Sequence, residues 1–178
     1  MTRRTFMGAT VAAVLMTPFV HGIDVLAQDI EFQRALERAQ KQRPATLTST
    51  ARIAPTTEPG QPLVVRGQLL NVNGSPAVHA IVFAYHTDRE GLYDRRENGP
   101  HSWRLRGWVK TDKEGHFTFE TIRPGSYPNS NNPPHVHFTA FVANGERYHA
   151  GELQMAMKPK GEREEERITL RLEARQKF

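Results

Sequence analysis

The chain has 178 residues, 24 Lys and Arg against 19 Asp and Glu for a formal net charge of +5, and 38% apolar residues. That length supports one ordinary domain, and 13 glycines with 12 prolines favour a turn-rich all-β domain over a helical bundle. The absence of cysteine excludes disulfides, thiolate catalysis and cysteine-bound metal, and the interleaving of basic with acidic residues, without a run of five like charges, argues against a nucleic-acid partner.

Residues 1–27 read as an export signal. Arg3 and Arg4 precede an apolar stretch from about Phe6 to Val20, too short to span a bilayer comfortably, and Val25-Leu26-Ala27 offers a small-residue cleavage site. The paired arginines followed by Thr5 and Phe6 resemble a bacterial twin-arginine signal, whereas an ordinary secretory signal is the alternative. Twin-arginine export carries folded proteins, often with a cofactor already inserted. The expected mature chain is periplasmic or secreted and has no membrane span.

Residues 28–62 are expected to form a helix and a linker. Ile30, Phe32, Ala35, Leu36 and Ala39 recur at helical spacing within "DIEFQRALERAQKQR", with Asp29 as N-cap and Pro44 as stop. The following "TSTARIAPTTEPGQP" is too rich in Thr, Pro and Gly for regular structure. From Leu63 the period changes to two. "LVVRGQLLN", "AIVFAYH", "GWVKTD", "HFTFETI", "HVHFTAFV", "ERYHAG", "ELQMAM" and "RITLRLEA" read as strands, with turns at Asn73-Gly74, at Gly115 and at Asn144-Gly145. "KPKGEREEER" reads as a solvated loop leading into the last of them. Seven or more short strands at this spacing predict a β-sandwich over residues 63–178, preceded by one short helix.

In "PPHVHF" strand alternation sends His135, His137 and Thr139 to one face and Val136, Phe138 and Ala140 to the other. Two such imidazoles can share a metal ion, and they can equally be surface residues. Tyr93, in "DREGLYDRR", and Tyr127, in "TIRPGSYPNS", are the oxygen donors in turn contexts, although a tyrosine in a Pro-Gly loop is also a common packing residue.

The ordered set G-x-Y, TD-x-x-G, T-I-R-P-G-x-Y-P and H-x-H-F resembles the intradiol ring-cleavage dioxygenases, the family that includes the catechol 1,2- and protocatechuate 3,4-dioxygenases. The resemblance covers Leu63 to Met157, and its most specific part is "GWVKTDKEGHFTFETIRPGSYP" followed by "PPHVHF". It implies a β-sandwich core and an Fe(III) ion held by Tyr93, Tyr127, His135 and His137. Phenolates are hard anionic donors that favour the ferric state. A free tyrosine has a pKa of about 10, so only a metal makes it a phenolate near neutral pH. The implied reaction is cleavage of a catechol-type ring by O2, between the two hydroxyl-bearing carbons, to a muconate-type diacid. Tyr127 matches the ligand that releases the metal and accepts a substrate proton.

The chain also departs from the family pattern. The stretch usually reads Trp-Arg-Pro-Ala-His, and here it is Asn131-Asn132-Pro133-Pro134-His135. Asn132 therefore replaces an arginine that lies over the substrate ring in the family, removing a charge and expected to alter rate or substrate choice. Arg123 is a candidate catalytic substitute, or else a structural residue of its turn. Only seven residues separate Tyr127 from His135, which is expected to open one wall of the pocket to bulkier catechols. His86 and His101 are candidate pocket residues or solvated ones, Trp103 and Trp108 are expected to pack in the sandwich or at its rim, and Glu152 and Gln154 could face the substrate. Two other readings stay open: an exported metal-binding sandwich without turnover, and a copper or zinc hydrolytic site on the histidine pair. Neither the particular catechol nor the oligomeric state is legible.

Overall fold

The structure is a computed structural model that describes residues 30, 34–35, 37–39, 41–93, 104–142, 147–158 and 161–172. The expected export signal, Asp29, His101, Trp103 and the Asn144-Gly145 turn lie outside the described residues. Among the described residues, eight strands form two four-stranded sheets: β1 (Thr50–Arg52), β5 (His116–Ile122), β2 (Pro62–Leu70) and β8 (Glu164–Arg171) in one, and β4 (Leu105–Lys110), β3 (Ile81–His86), β6 (His135–Phe141) and β7 (Arg147–Gln154) in the other. The protein is an all-β sandwich, as the period-two patterning predicts.

Alternation decides which side chains fill the space between the sheets. Leu63, Val65 and Leu69 of β2, Phe117 and Phe119 of β5, Val82 and Ala84 of β3, and Val136, Phe138 and Ala140 of β6 form the inner core. The rings of Phe117 and Phe138 bridge the two sheets with centroids 6.0 Å apart. Turning these residues inward obliges their neighbours Phe83, Tyr85, Trp108 and Phe141 to face outward. They form a second apolar cluster on the far side of that sheet, closed by Ala35 and Ala39. Residues 30, 34–35, 37–39 and 41 are helical, and two alanines four apart let the helix lie close on Phe83 and Trp108, whose rings are 4.3 Å apart. Ile30, expected on the apolar face, is instead half exposed.

Three segments differ from expectation. The Thr- and Pro-rich stretch after the helix contributes β1, which pairs in parallel with β5 from Thr50↔Thr118 to Arg52↔Glu120. Its backbone covers an open sheet edge, and Ile53 and Ala54 then enter the core, so side-chain periodicity gives little warning of it. The charged run before the last strand is itself strand: Glu164, Glu165 and Glu166 lie in parallel register with Leu63, Val64 and Val65. Glu164 is buried because it pairs there with Arg123. Finally, "ERYHAG" and "ELQMAM" form a single strand, β7, whose register with β6 shifts between Phe138 and Thr139.

That shift controls which face β7 presents. Thr139 lies opposite His149 and Phe138 opposite Gly151, so Ala150 is the extra residue of a β-bulge. Beyond it Glu152 stands opposite His137 on the outer face and Leu153 opposite Val136 in the core. A regular strand would have exchanged them. Gly151 carries the bulge at φ 110°, where a side chain is strained although space is open to one.

His86 is fully buried between the sheets. Its Nδ1 donates to the Thr87 carbonyl at 2.6 Å and its Nε2 accepts from Thr121 Oγ1 at 2.7 Å, so both nitrogens of a neutral ring are satisfied and none faces a pocket. Burial pushes its pKa down from 6.5 to about 4. The unfolded chain therefore takes up this proton first: stability is complete above pH 6.5 and is lost as pH falls toward 4. The gap in unfolding free energy between wild type and His86→Gln should narrow by up to roughly 3 kcal/mol over that window, measured by urea denaturation at each pH. Parallel pH profiles would contradict it.

Candidate metal centre

β6 delivers the two histidines to the outer face, beside Tyr85 of β3. Tyr85 is the cross-strand partner of His137, and the two rings stack at 4.7 Å with an 18° interplanar angle. Each imidazole is then oriented by its Nδ1. That of His135 lies 2.8 Å from the Pro133 carbonyl oxygen and that of His137 lies 2.8 Å from Glu152 Oε1. Both partners only accept, so both Nδ1 atoms carry the proton and both Nε2 atoms present lone pairs.

The tyrosines come from two loops locked together through their glycines, each two residues before its tyrosine. Gly91, at φ 84°, lies so close to the Ser126 carbonyl that a Cβ would overlap it, and a Cβ on Gly125 would overlap the Arg89 carbonyl. Gly125 N donates to the Asp88 carbonyl at 2.7 Å, and Thr87 Oγ1 donates to the Gly125 carbonyl at 2.9 Å. Asp88 shapes the first loop by accepting from the backbone of Glu90 and Leu92 at 3.0 Å each. Arg104 holds that loop down from above, with its guanidinium bonded to Glu58 and 4.0 Å from Asp88. Two loops distant in sequence thus place Tyr93 and Tyr127 side by side.

Four donor atoms converge. Tyr93 Oη is hydrogen-bonded to Tyr127 Oη and lies 2.9 Å from His137 Nε2. Tyr127 Oη lies 3.1 Å from His137 Nε2 and 2.9 Å from His135 Nε2, and the two Nε2 atoms are 3.1 Å apart. Only the two hydroxyl protons are available for these five contacts, and none can sit between the nitrogens. Two imidazole lone pairs facing each other across 3.1 Å repel unless a cation lies between them. Separations of this size are also those of donors around an ion with bonds of about 2.1 Å. The donor set therefore fits a metal, and two phenol oxygens with two imidazoles fit a hard trivalent one. Burial raises the pKa of Tyr93 above the ordinary phenol value, reinforced by its bond to Tyr127, and burial raises that of Tyr127 as well, so without a cation both remain phenols.

The other expected residues fall elsewhere. Arg123 is buried, paired with Glu164 and donating to the Ala156 carbonyl, so its hydrogen bonds are structural ones. Asn132 is exposed, with its backbone N–H donating to Ser130 Oγ. Trp108 packs in the outer cluster beneath Arg43, whose Cζ is 6.0 Å from the ring centroid. Gln154 shares the outer face with Glu152 and is exposed as Glu152 is. Sequence reasoning missed Tyr85, although alternation with Phe83 along β3 was a usable signal. It also missed the contact of Glu152 with His137, which the bulge conceals.

A family model described as dioxygenase matches residues 37–150, and a catechol 1,2-dioxygenase of Acinetobacter lwoffii is 29% identical over 104 residues. An intradiol ring-cleavage dioxygenase of Tetranychus urticae superposes with a TM-score of 0.51 at 29% identity, over 62% of this chain and 59% of that one. The chain belongs to the intradiol dioxygenase family. The dioxygenase domain of a carbohydrate-binding fusion protein from Streptomyces sp. SirexAA-E shares the intradiol dioxygenase fold, with a TM-score of 0.55 at 21% identity over 74% of this chain and 92% of that one. The match to the Acinetobacter enzyme spans 49% of this chain and 38% of that protein. The chain spans less than half the length of the curated relatives it matches.

The interlocked glycines can be tested directly. Gly74→Ala, at φ 86° with its nearest neighbouring atom 3.8 Å away, should cost about 1 kcal/mol from backbone strain alone. Gly91→Ala should exceed it by about 2 kcal/mol, because it also forces the two loops apart. Equal losses in denaturant unfolding would show that the loops are not held by this contact.

Proposed function

We propose that this chain is a non-haem ferric intradiol dioxygenase that opens a catechol-type ring with O2 between its two hydroxyl-bearing carbons, giving a muconate-type diacid. The observation that carries the reading is the convergence of Tyr93 Oη, Tyr127 Oη and two deprotonated Nε2 atoms, with Tyr127 Oη and His137 Nε2 each in contact with the other three donors. Tyr93, Tyr127, His135 and His137 would hold the iron. When bound, ferric iron draws electron density from a chelated catecholate and so makes the ring reactive toward O2. Both oxygen atoms enter the diacid, so no external reductant is needed.

The chain's own residues divide the remaining work. His135 and His137 offer Nε2 to the metal because their Nδ1 protons are engaged elsewhere. Tyr93 packs against the outer apolar cluster, with its ring 5.9 Å from that of Tyr85, and is the anchored phenol. Tyr127 stands on the irregular segment between β5 and β6 and belongs to neither apolar cluster. It is therefore the phenol able to swing away and accept a catechol proton at Oη. Asn132 brings no charge over the ring, and its exposed loop leaves that side open to bulky catechols. We further propose that residues 1–27 direct export by the twin-arginine route. N-terminal sequencing of the exported protein, starting near Gln28, would bear this out.

Full-length protein loaded with ferric iron should be red-brown from phenolate-to-iron charge transfer, and should consume one O2 per catechol opened. Tyr93→Phe should weaken the band and lower kcat/KM by about 100-fold or more, exceeding the loss typical of a residue one contact removed from a metal. Wild-type turnover in this variant would remove Tyr93 from the centre. Asn132→Arg should raise kcat/KM for simple catechols relative to bulky ones, read on an oxygen electrode; an unchanged ratio would count against the account of the open wall.

A further inference from the structure

We propose that Glu152 is the positioning residue of this site, acting through His137. The proposal rests on the reading that the four-donor cluster holds a metal. The two histidines are unequal: His135 Nδ1 donates to a neutral backbone carbonyl, whereas His137 Nδ1 donates to a carboxylate at 2.8 Å. A carboxylate behind an imidazole fixes its tautomer and its rotation and makes the opposite nitrogen a stronger donor. His137 is also the histidine whose ring is clamped from the side, by the stacked Tyr85. Its Nε2 lies within 3.1 Å of the other three donors, so it is the histidine whose orientation affects the whole cluster, whereas no such contact joins His135 to Tyr93.

The backbone is built to deliver this contact. Glu152 reaches the outer face only because β7 carries the bulge at Ala150, and the bulge is carried by Gly151 at φ 110°. A regular strand would have placed Leu153 there and turned Glu152 into the core. His135, His137 and Glu152 could alternatively form a three-residue ligand set of their own, since one donor atom from each lies within 4.8 Å of the others. The structure argues against that grouping. Glu152 sits at Nδ1 of His137, the opposite ring nitrogen from the one facing the tyrosines.

The test uses the full chain loaded with ferric iron. The dissociation constant for iron is measured by chelator competition and the charge-transfer maximum by absorption, in wild type, Glu152→Gln and Glu152→Leu. Gln keeps an acceptor but loses the charge, and Leu loses both. Weaker donation by His137 leaves the iron more electron-poor, so the band should move to longer wavelength in both variants. Iron affinity should fall about 10-fold for Gln and about 100-fold for Leu. The Glu152 side chain is 35% exposed, so far-UV circular dichroism and metal-free melting should match wild type. Gly151→Ala, which keeps the carboxylate but strains the turn aiming it, should give a smaller shift of the same sign.

A coloured wild type whose Glu152 variants keep the same band and affinity would overturn this inference alone. Complete loss of iron in Glu152→Gln would also overturn it, making Glu152 a ligand. A wild type that takes up no iron would overturn the four-donor reading, and this inference with it.

Discussion

Two imidazole nitrogens without protons face each other across 3.1 Å, with two phenol oxygens at the same range, and the surrounding structure is organised to hold them so. Such an arrangement is unfavourable in an empty protein and favourable around a cation. Folding must supply the difference beforehand. It does so with contacts that orient the donors from behind: the Pro133 carbonyl on His135, Glu152 and Tyr85 on His137, and the glycine-to-backbone contact that aligns the two tyrosine loops. Apart from the partly exposed Glu152, each is a fixed backbone or packed group, so the donors lose little further freedom on taking up a metal.

The sandwich explains why the site lies outside the core. Filling the inner layer with Val136, Phe138 and Ala140 sends His135 and His137 to the opposite face of the sheet. That face would be solvated had Phe83, Trp108 and Phe141 not made it apolar and the N-terminal helix not covered it. The site therefore lies at the margin of a second, smaller core. This gives it a dry wall at Tyr85 and Tyr93, and an open side at the exposed Asn131 and Asn132.

Much of this was legible in the residues, for identifiable reasons. β6 and β5 are where expected because alternating apolar residues leave one register that turns Phe117, Phe119 and Phe138 into the core. β1 was not legible, because a three-residue edge strand is held by backbone pairing rather than by its side chains. The start of β8 was hidden by three glutamates, since burial of Glu164 depends on Arg123 some forty residues earlier. The same pairing explains why Arg123 does not reach toward the donors. Spacing alone left the histidines and tyrosines as separate possibilities, and only the ordered motif set joined them. Glu152 was invisible as a partner of His137, because the bulge inverts the face that simple alternation assigns to it.

The chemistry follows from inequalities among the four donors. Tyr93 is anchored in a cluster and Tyr127 is not; His137 has an anion behind it and His135 a neutral carbonyl. On the proposed reading, the anchored Tyr93 and the releasable Tyr127 let the site exchange a protein ligand for a substrate oxygen without losing its metal. The most direct test is a crystal structure of the iron-loaded chain with anomalous data at the iron edge. The account predicts a single peak about 2 Å from Tyr93 Oη, Tyr127 Oη, His135 Nε2 and His137 Nε2. A peak on the Glu152 side of His137, or none near the tyrosines, would contradict it.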